Sequence, residues 1–163
     1  MSQVARISIL TPLAVAASAV VFTILIHALS VNATVRFVQH EDKVGRVGIS
    51  FWIDVAITTP TIVLVLIAHL IEIGVWAGLF VVCGEFRDFG TAYYHSAVNY
   101  TTLGYGDMVM SPSWRMLGPL EAANGALMFG VSTGMVFALI QMLISARLAR
   151  SRAAAPVLSK QES

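Results

Sequence analysis

The chain has 163 residues, of which 57% are hydrophobic and only 12% are charged, and its formal net charge is +1. A soluble globular domain averages about 25% charged residues, so this chain has too few charges to cover a water-exposed surface. The small net charge argues against a nucleic-acid-binding protein. The single cysteine, Cys83, excludes an intramolecular disulfide. The composition therefore predicts one domain embedded in a membrane.

The first element in chain order is a predicted membrane-spanning helix within residues 1–31. Residues 7–35 contain no Asp, Glu, Lys or Arg, and a spanning helix needs about 20 apolar residues. The apolar run is longer than the roughly 7–15 residues typical of a signal peptide, so we expect the helix to be retained.

The second apolar stretch covers residues 49–83 and is interrupted by Asp54, Pro60, His69 and Glu72. It is too long for one straight helix and too short for two. Proline cannot donate a backbone hydrogen bond inside a helix, so we predict a break near Pro60. Residues 32–60 then form a cytoplasmic loop and an interfacial segment, and the second span begins at Thr61.

The third predicted span covers residues 117–145 and carries one charge, Glu121. The mixed segment 148–163 predicts a disordered cytoplasmic tail. Basic residues are more frequent in the first loop and in the tail than on the opposite side. The positive-inside rule therefore places the amino terminus outside and the carboxyl terminus in the cytoplasm. We expect an integral protein of a prokaryotic plasma membrane.

The segment between the second and third spans carries the most specific pattern. Residues 90–101 are too short to cross a bilayer but long enough for about three helical turns, which suits a re-entrant helix. The sequence TTLGYGD follows, over residues 101–107. Non-helical backbone at membrane depth is tolerated only where it is buried in protein or lines a water-filled cavity. Two glycines around a tyrosine suit a strand whose alternate residues take positive φ and turn successive carbonyls to one side.

With its short preceding helix and its glycine-bearing following span, TTLGYGD resembles the selectivity filter of potassium channels of the pore-loop superfamily. The resemblance covers residues 61–147, the expected pore domain. It implies an all-α membrane protein with three transmembrane helices and a tetrameric pore. A re-entrant pore helix and a filter loop would lie between the second and third helices. The remaining span, within residues 1–31, is an addition to the two-span design.

The resemblance also implies roles for individual residues. Potassium ions would be bound by the filter residues Thr102, Leu103, Gly104, Tyr105 and Gly106, through backbone carbonyls and the Thr102 hydroxyl. The filter would be supported by Asp107, Thr101, Tyr93 and Tyr94. Gly125 would be a gating hinge, and Phe129 and Thr133 would line the cavity. The two tyrosines also suit a membrane interface, and Gly125 equally suits a packing contact between helices.

Two further patterns have alternative interpretations. His69 and Glu72 share one helical face and are either a proton or metal sensor or a structural pair, with His27 or Glu121 nearby. Residues 130–134 match the G-x-S-x-G pattern of hydrolases, but they lie in mid-span and lack the required strand-to-helix turn.

The sequence therefore predicts a passive potassium-selective channel and no enzyme. The alternative is a membrane transporter or sensor, linked to protons or divalent metal, that uses the intramembrane His and Glu residues. Expected partners are identical chains in a homotetramer and membrane lipids, without nucleic acid or a small-molecule substrate. We expect no cofactor beyond the permeant potassium ions.

Overall fold

The structure is a computed structural model that describes the backbone of residues 3–159 and the side chains of residues 10–153. The regular secondary structure of its described part is all helical and consists of α1 (Gln3–Lys43), α2 (Phe51–Val82), α3 (Phe89–Tyr100) and α4 (Leu117–Ser159). The described segments Leu10–Lys43, Phe51–Val82 and Leu117–Ala153 are each long and apolar enough to cross a membrane. The predicted all-α class is confirmed, with three spans and a short helix between the second and third.

The predicted break near Pro60 is wrong, because α2 continues from Phe51 through Pro60 to Val82. Threonines around the proline donate to backbone carbonyls one turn earlier, at 2.8 Å for Thr58 to Asp54 and 2.9 Å for Thr59 to Val55. Such side-chain bonds help a membrane helix to tolerate proline. Residues 51–60 are thus part of the second helix.

The helices also extend beyond the predicted spans at two other places. The first helix continues to Lys43, so that only residues 44–50 connect it to α2. The fourth helix continues to Ser159, where a disordered tail from residue 148 was expected. Alanine and arginine, frequent in this stretch, are favourable in helices. The prediction for residues 160–163 lies outside the described residues.

The chain divides into two compact units. Unit 1 comprises Met1–Leu29 and Ile67–Val131, and unit 2 comprises Ser30–Leu66 and Ser132–Ser163. The core of unit 1 contains the fully buried side chains of Trp76, Phe80, Tyr100 and Leu117. These large side chains come from α2, α3 and α4, and their packing positions the short helix α3.

Unit 2 is organised around the connection between α1 and α2. The carboxylate of Asp54 accepts a hydrogen bond from the backbone N–H of Gly48 at 3.0 Å and pairs with Arg147. Arg150 donates to the carbonyl of Val47 at 3.1 Å. A Cβ on Gly48 would lie 2.7 Å from the backbone nitrogen of Arg147, so only glycine allows this approach. The connection is thereby held against α4.

Candidate functional site

The site begins at the amino terminus of α3, which is capped by Asp88. Its carboxylate accepts a hydrogen bond from the backbone N–H of Gly90 at 2.8 Å and from that of Thr91 at 3.2 Å. These bonds satisfy donors that have no partner within the helix. The Thr91 side chain also donates to the carboxylate and, as the main cause, holds the pKa of Asp88 below its usual value.

At the other end of α3, the chain turns into the segment 101–107 without losing its backbone bonds. The N–H of Thr102 donates to the carbonyl of Asn99 at 2.8 Å. Those of Leu103 and Gly104 both donate to the carbonyl of Val98, at 3.0 Å and 3.1 Å. These bonds satisfy the last carbonyls of the helix. They use the amide hydrogens of residues 102–104.

The segment 101–107 has an alternating backbone. Thr102, Gly104 and Gly106 have φ angles of +60°, +59° and +71°. Thr102 is the one non-glycine residue with a positive φ in the part of the chain that the structure describes. A non-glycine residue in this region costs about 1–3 kcal/mol and is typically found at functional sites. The alternation is the one that the two glycines of TTLGYGD predict.

Of the four residues expected to support this segment, two tyrosines make different contacts. The Tyr94 hydroxyl donates to Asp107 at 2.9 Å, and this bond raises the pKa of Tyr94 above its usual value. The Tyr93 hydroxyl donates instead to the carbonyl of Leu70 on α2, at 3.0 Å. The Thr101 hydroxyl donates to the carbonyl of Ala97 at 2.7 Å, within the last turn of α3. Their roles in filter support stay predictions.

Two further contacts around the segment were not anticipated from the sequence. The carboxylate of Glu85 accepts from the backbone N–H of Ser111 at 2.7 Å and from its hydroxyl at 2.5 Å, which ties the chain after TTLGYGD to the end of α2. Nε2 of His95 lies 2.9 Å from the side-chain amide nitrogen of Asn99. Burial, as the largest cause, lowers the pKa of His95 below its usual value. No local pattern indicates these partners.

Gly125 lies where α4 meets the end of α3. A Cβ at this position would come within 2.1 Å of the carbonyl oxygen of Tyr100, so glycine is required for the close approach. The helix is continuous through Gly125. This geometry supports the packing interpretation of Gly125, and its role as a hinge stays a prediction.

The two residues expected to line a cavity have different surroundings. The Phe129 ring packs against those of His69 and Tyr100, with centroids 4.6 Å and 5.6 Å apart. Thr133 is exposed in the single chain. The cavity-lining role of both residues stays a prediction.

The intramembrane His and Glu residues form a buried polar cluster in unit 1. Nδ1 of His27 lies 3.0 Å from one oxygen of Glu72, and Nδ1 of His69 lies 3.4 Å from the other. The hydroxyl of Tyr100 donates to the same carboxylate, a partner that no sequence pattern indicates. Glu121 is engaged elsewhere, as an acceptor from Ser96 at 2.5 Å. Of the two nearby candidates, His27 therefore joins His69 and Glu72.

Comparison with protein families gives a match that covers the site. Residues 68–142 match a family described as "Ion channel". Comparisons with curated proteins and with solved structures gave no match. The matched segment contains about half of α2, all of α3, TTLGYGD and much of α4. These residues are thus similar to an ion-channel domain, and the three long apolar helices support a protein integral to the membrane.

Proposed function

We propose that the protein is a homotetrameric channel that conducts potassium passively through stacked rings of oxygen atoms. The oxygens are the carbonyls of Thr102, Leu103, Gly104 and Tyr105, with the Thr102 hydroxyl below them. The observation that carries the proposal is the alternation of positive φ at Thr102, Gly104 and Gly106. Carbonyl rings of this kind replace the hydration shell of potassium in channels.

The position of α3 supports the same function. Its last residue, Tyr100, directly precedes TTLGYGD, so the carboxyl end of the helix lies at the filter. This end of a helix carries about half a negative charge, which favours a cation nearby. The hydrogen bonds of the segment 102–104 run back to α3 and hold the backbone in place for binding. No side-chain carboxylate is needed as a direct ligand.

The first test is ion flux through liposomes that contain the purified protein. Gly104→Ala and Gly106→Ala should abolish selective potassium flux, because alanine at positive φ costs about 1–2 kcal/mol per residue. Neither added methyl group would meet another atom within 4 Å. The defect should therefore come from the backbone conformation of the filter itself.

Gly84→Ala is the matched control for these variants. Gly84 also has a positive φ, +77°, and free space around its Cβ position, but it lies at the end of α2. It should have a similar effect on stability and retain potassium-over-sodium selectivity. Unchanged selectivity in both filter variants would refute the proposed pore.

The alternative function is a transporter or sensor linked to protons or divalent metal. It is favoured by the cluster of His27, His69 and Glu72, whose side chains are almost completely buried. Such a transporter would couple its transport to a gradient of protons or divalent metal ions. Downhill potassium flux that is independent of a pH gradient would support the channel, and flux that requires the gradient would support the transporter.

A further inference from the structure

Three helices of unit 1 bring four polar side chains to one buried point. His27 comes from α1, His69 and Glu72 from α2, and Tyr100 from α3. The side chains of His27, His69 and Glu72 are 4%, 7% and 0% exposed. A carboxylate at this depth is strongly unfavourable unless a positive group compensates it. One nitrogen of each histidine lies within 3.4 Å of a Glu72 oxygen.

We propose that His27, His69 and Glu72 form a binding site for a divalent transition metal of the zinc class. One ligand atom from each residue can be chosen so that all three lie within 4.8 Å of one another. Ligand atoms around a tetrahedral zinc ion are about 3.3–3.6 Å apart, given bonds of about 2.0–2.2 Å. Nδ1 of His27 lies 3.0 Å from one oxygen of Glu72 and Nδ1 of His69 lies 3.4 Å from the other, so small shifts would bring these atoms to the spacing of a zinc site.

The donor atoms select the class of metal. Two imidazole nitrogens and one carboxylate oxygen suit zinc, cobalt or nickel, whereas calcium and magnesium prefer a complete set of oxygen ligands. Three protein ligands leave a fourth position for water. His27 lies on α1, and His69 and Glu72 lie on α2. A bound ion would therefore join these two helices within unit 1.

The surroundings of the three ligands are those of a metal site. Tyr100 donates to one carboxylate oxygen of Glu72, which leaves the other oxygen able to face the ion. The ring of Phe129 packs on that of His69, with centroids 4.6 Å apart, and fixes its orientation. Outer contacts of this kind orient metal ligands, and their loss typically lowers metal affinity about 10–100-fold. Tyr100 is therefore a positioning residue for the site.

The test is metal binding to the purified full-length protein, and it does not depend on whether the protein conducts potassium. After treatment with a chelator, the protein is titrated with cobalt(II) and then with zinc(II). We expect a visible cobalt spectrum of low-coordinate type that saturates at one ion per chain and disappears when zinc is added. Zinc should also raise the melting temperature in proportion to the logarithm of its concentration, since it binds the folded state.

Variants separate this site from other metal-binding residues. Glu72→Gln, His27→Gln and His69→Gln should each lower zinc affinity at least about tenfold, with loss of the cobalt spectrum. Glu121→Gln and His95→Gln are the matched controls, since both residues are buried in unit 1 outside the cluster. They should bind zinc as the wild type does.

Tyr100→Phe keeps the test decisive if a ligand variant fails to fold. It removes one hydroxyl, keeps the ring in the core, and should weaken zinc binding about 10–100-fold. Absence of saturable binding to the folded wild type would overturn the proposal. Wild-type affinity in folded Tyr100→Phe and Glu72→Gln would overturn it as well.

Discussion

At the scale of single residues, two adjacent tyrosines of α3 contact different parts of unit 1. Tyr94 reaches forward to Asp107, the last residue of TTLGYGD, and Tyr93 reaches sideways to the carbonyl of Leu70 on α2. The difference follows from their positions on the helix, since consecutive residues are rotated by about 100° around its axis. Only the Tyr94 contact acts directly on the proposed filter.

Tyr94→Phe should therefore weaken the filter, because it removes the hydroxyl bond to Asp107 and keeps the ring. We expect a several-fold lower potassium flux in liposomes, together with a lower ratio of potassium to sodium. Tyr93→Phe is the control, since it removes one hydroxyl from the same helix and leaves the Asp107 contact intact. Equal losses in the two variants would contradict a specific role for Tyr94.

The same bond gives a pH dependence whose direction is defined. The bond to Asp107 raises the pKa of Tyr94, so the folded protein keeps this proton where the unfolded chain has lost it. The resulting stability is complete below the unfolded pKa of about 10 and is lost as pH rises through the folded value. Wild type should therefore lose its advantage in melting temperature over Tyr94→Phe as pH rises above about 10.

At the scale of helices, the backbones of α3 and α4 approach each other closely at Gly125. The backbone of Gly125 approaches the carbonyl of Tyr100, the residue directly before the filter segment. A displacement of α4 near Gly125 would therefore also move Tyr100, and with it the start of the proposed filter. The contact would connect α4 mechanically to the proposed filter.

Gly125→Ala should destabilise the protein, because its methyl group would collide with backbone atoms that cannot move aside. Overpacking of this kind costs typically 1–3 kcal/mol, and a lower melting temperature would reveal it. Gly130→Ala is the control in the same helix, since nothing lies within 4 Å of its Cβ position. A hinge without a packing role would give the opposite outcome for Gly125→Ala, with altered gating at unchanged stability.

The existence of the helices was predictable, but some of their boundaries were not. Long apolar runs identify the three spans, and Gly90 to Thr101 gives α3 to within a residue or two at each end. The continuation through Pro60 depends on bonds from neighbouring threonines to the backbone, which compensate for the proline. Composition shows that threonines are present but does not show whether they make these bonds.

The candidate site was predictable where its geometry is local. The positive φ angles at Gly104 and Gly106 are encoded by the glycines of TTLGYGD, whereas that of Thr102 is not. The pairs Glu85–Ser111 and Glu72–Tyr100 join residues 26 and 28 positions apart in the chain. No helical period relates such positions, so their partners emerge only when the helices pack.

At the scale of the whole molecule, a single chain supplies only part of the proposed filter. Residues 101–107 are all exposed, and the apolar side chains of Leu103 and Tyr105 are 56% and 67% exposed. Non-helical backbone at membrane depth is tolerated only where it is buried in protein or lines a water-filled cavity. Neighbouring chains around a symmetry axis would cover them and would complete each ring of oxygens.

The protein should therefore form a closed assembly of four chains, since cyclic symmetry is the usual way to build a ring from one loop. Native mass spectrometry from mild detergent should give the mass of four chains. Amine crosslinking should give products up to the tetramer. Disulfide crosslinking is not a substitute, because a single cysteine can join only two chains. An assembly that stops at two chains would contradict the proposed pore.

The positive φ of Thr102 has a consequence for how this sequence can vary. Glycine would adopt that conformation without steric cost. Threonine at this position therefore makes the folded chain less stable than glycine would. Its hydroxyl oxygen, which the proposed ion site uses, is what glycine would lack. Stabilising substitutions often cost function where activity depends on a strained site. The most stable sequence for this backbone and the sequence that serves the ion are therefore different sequences.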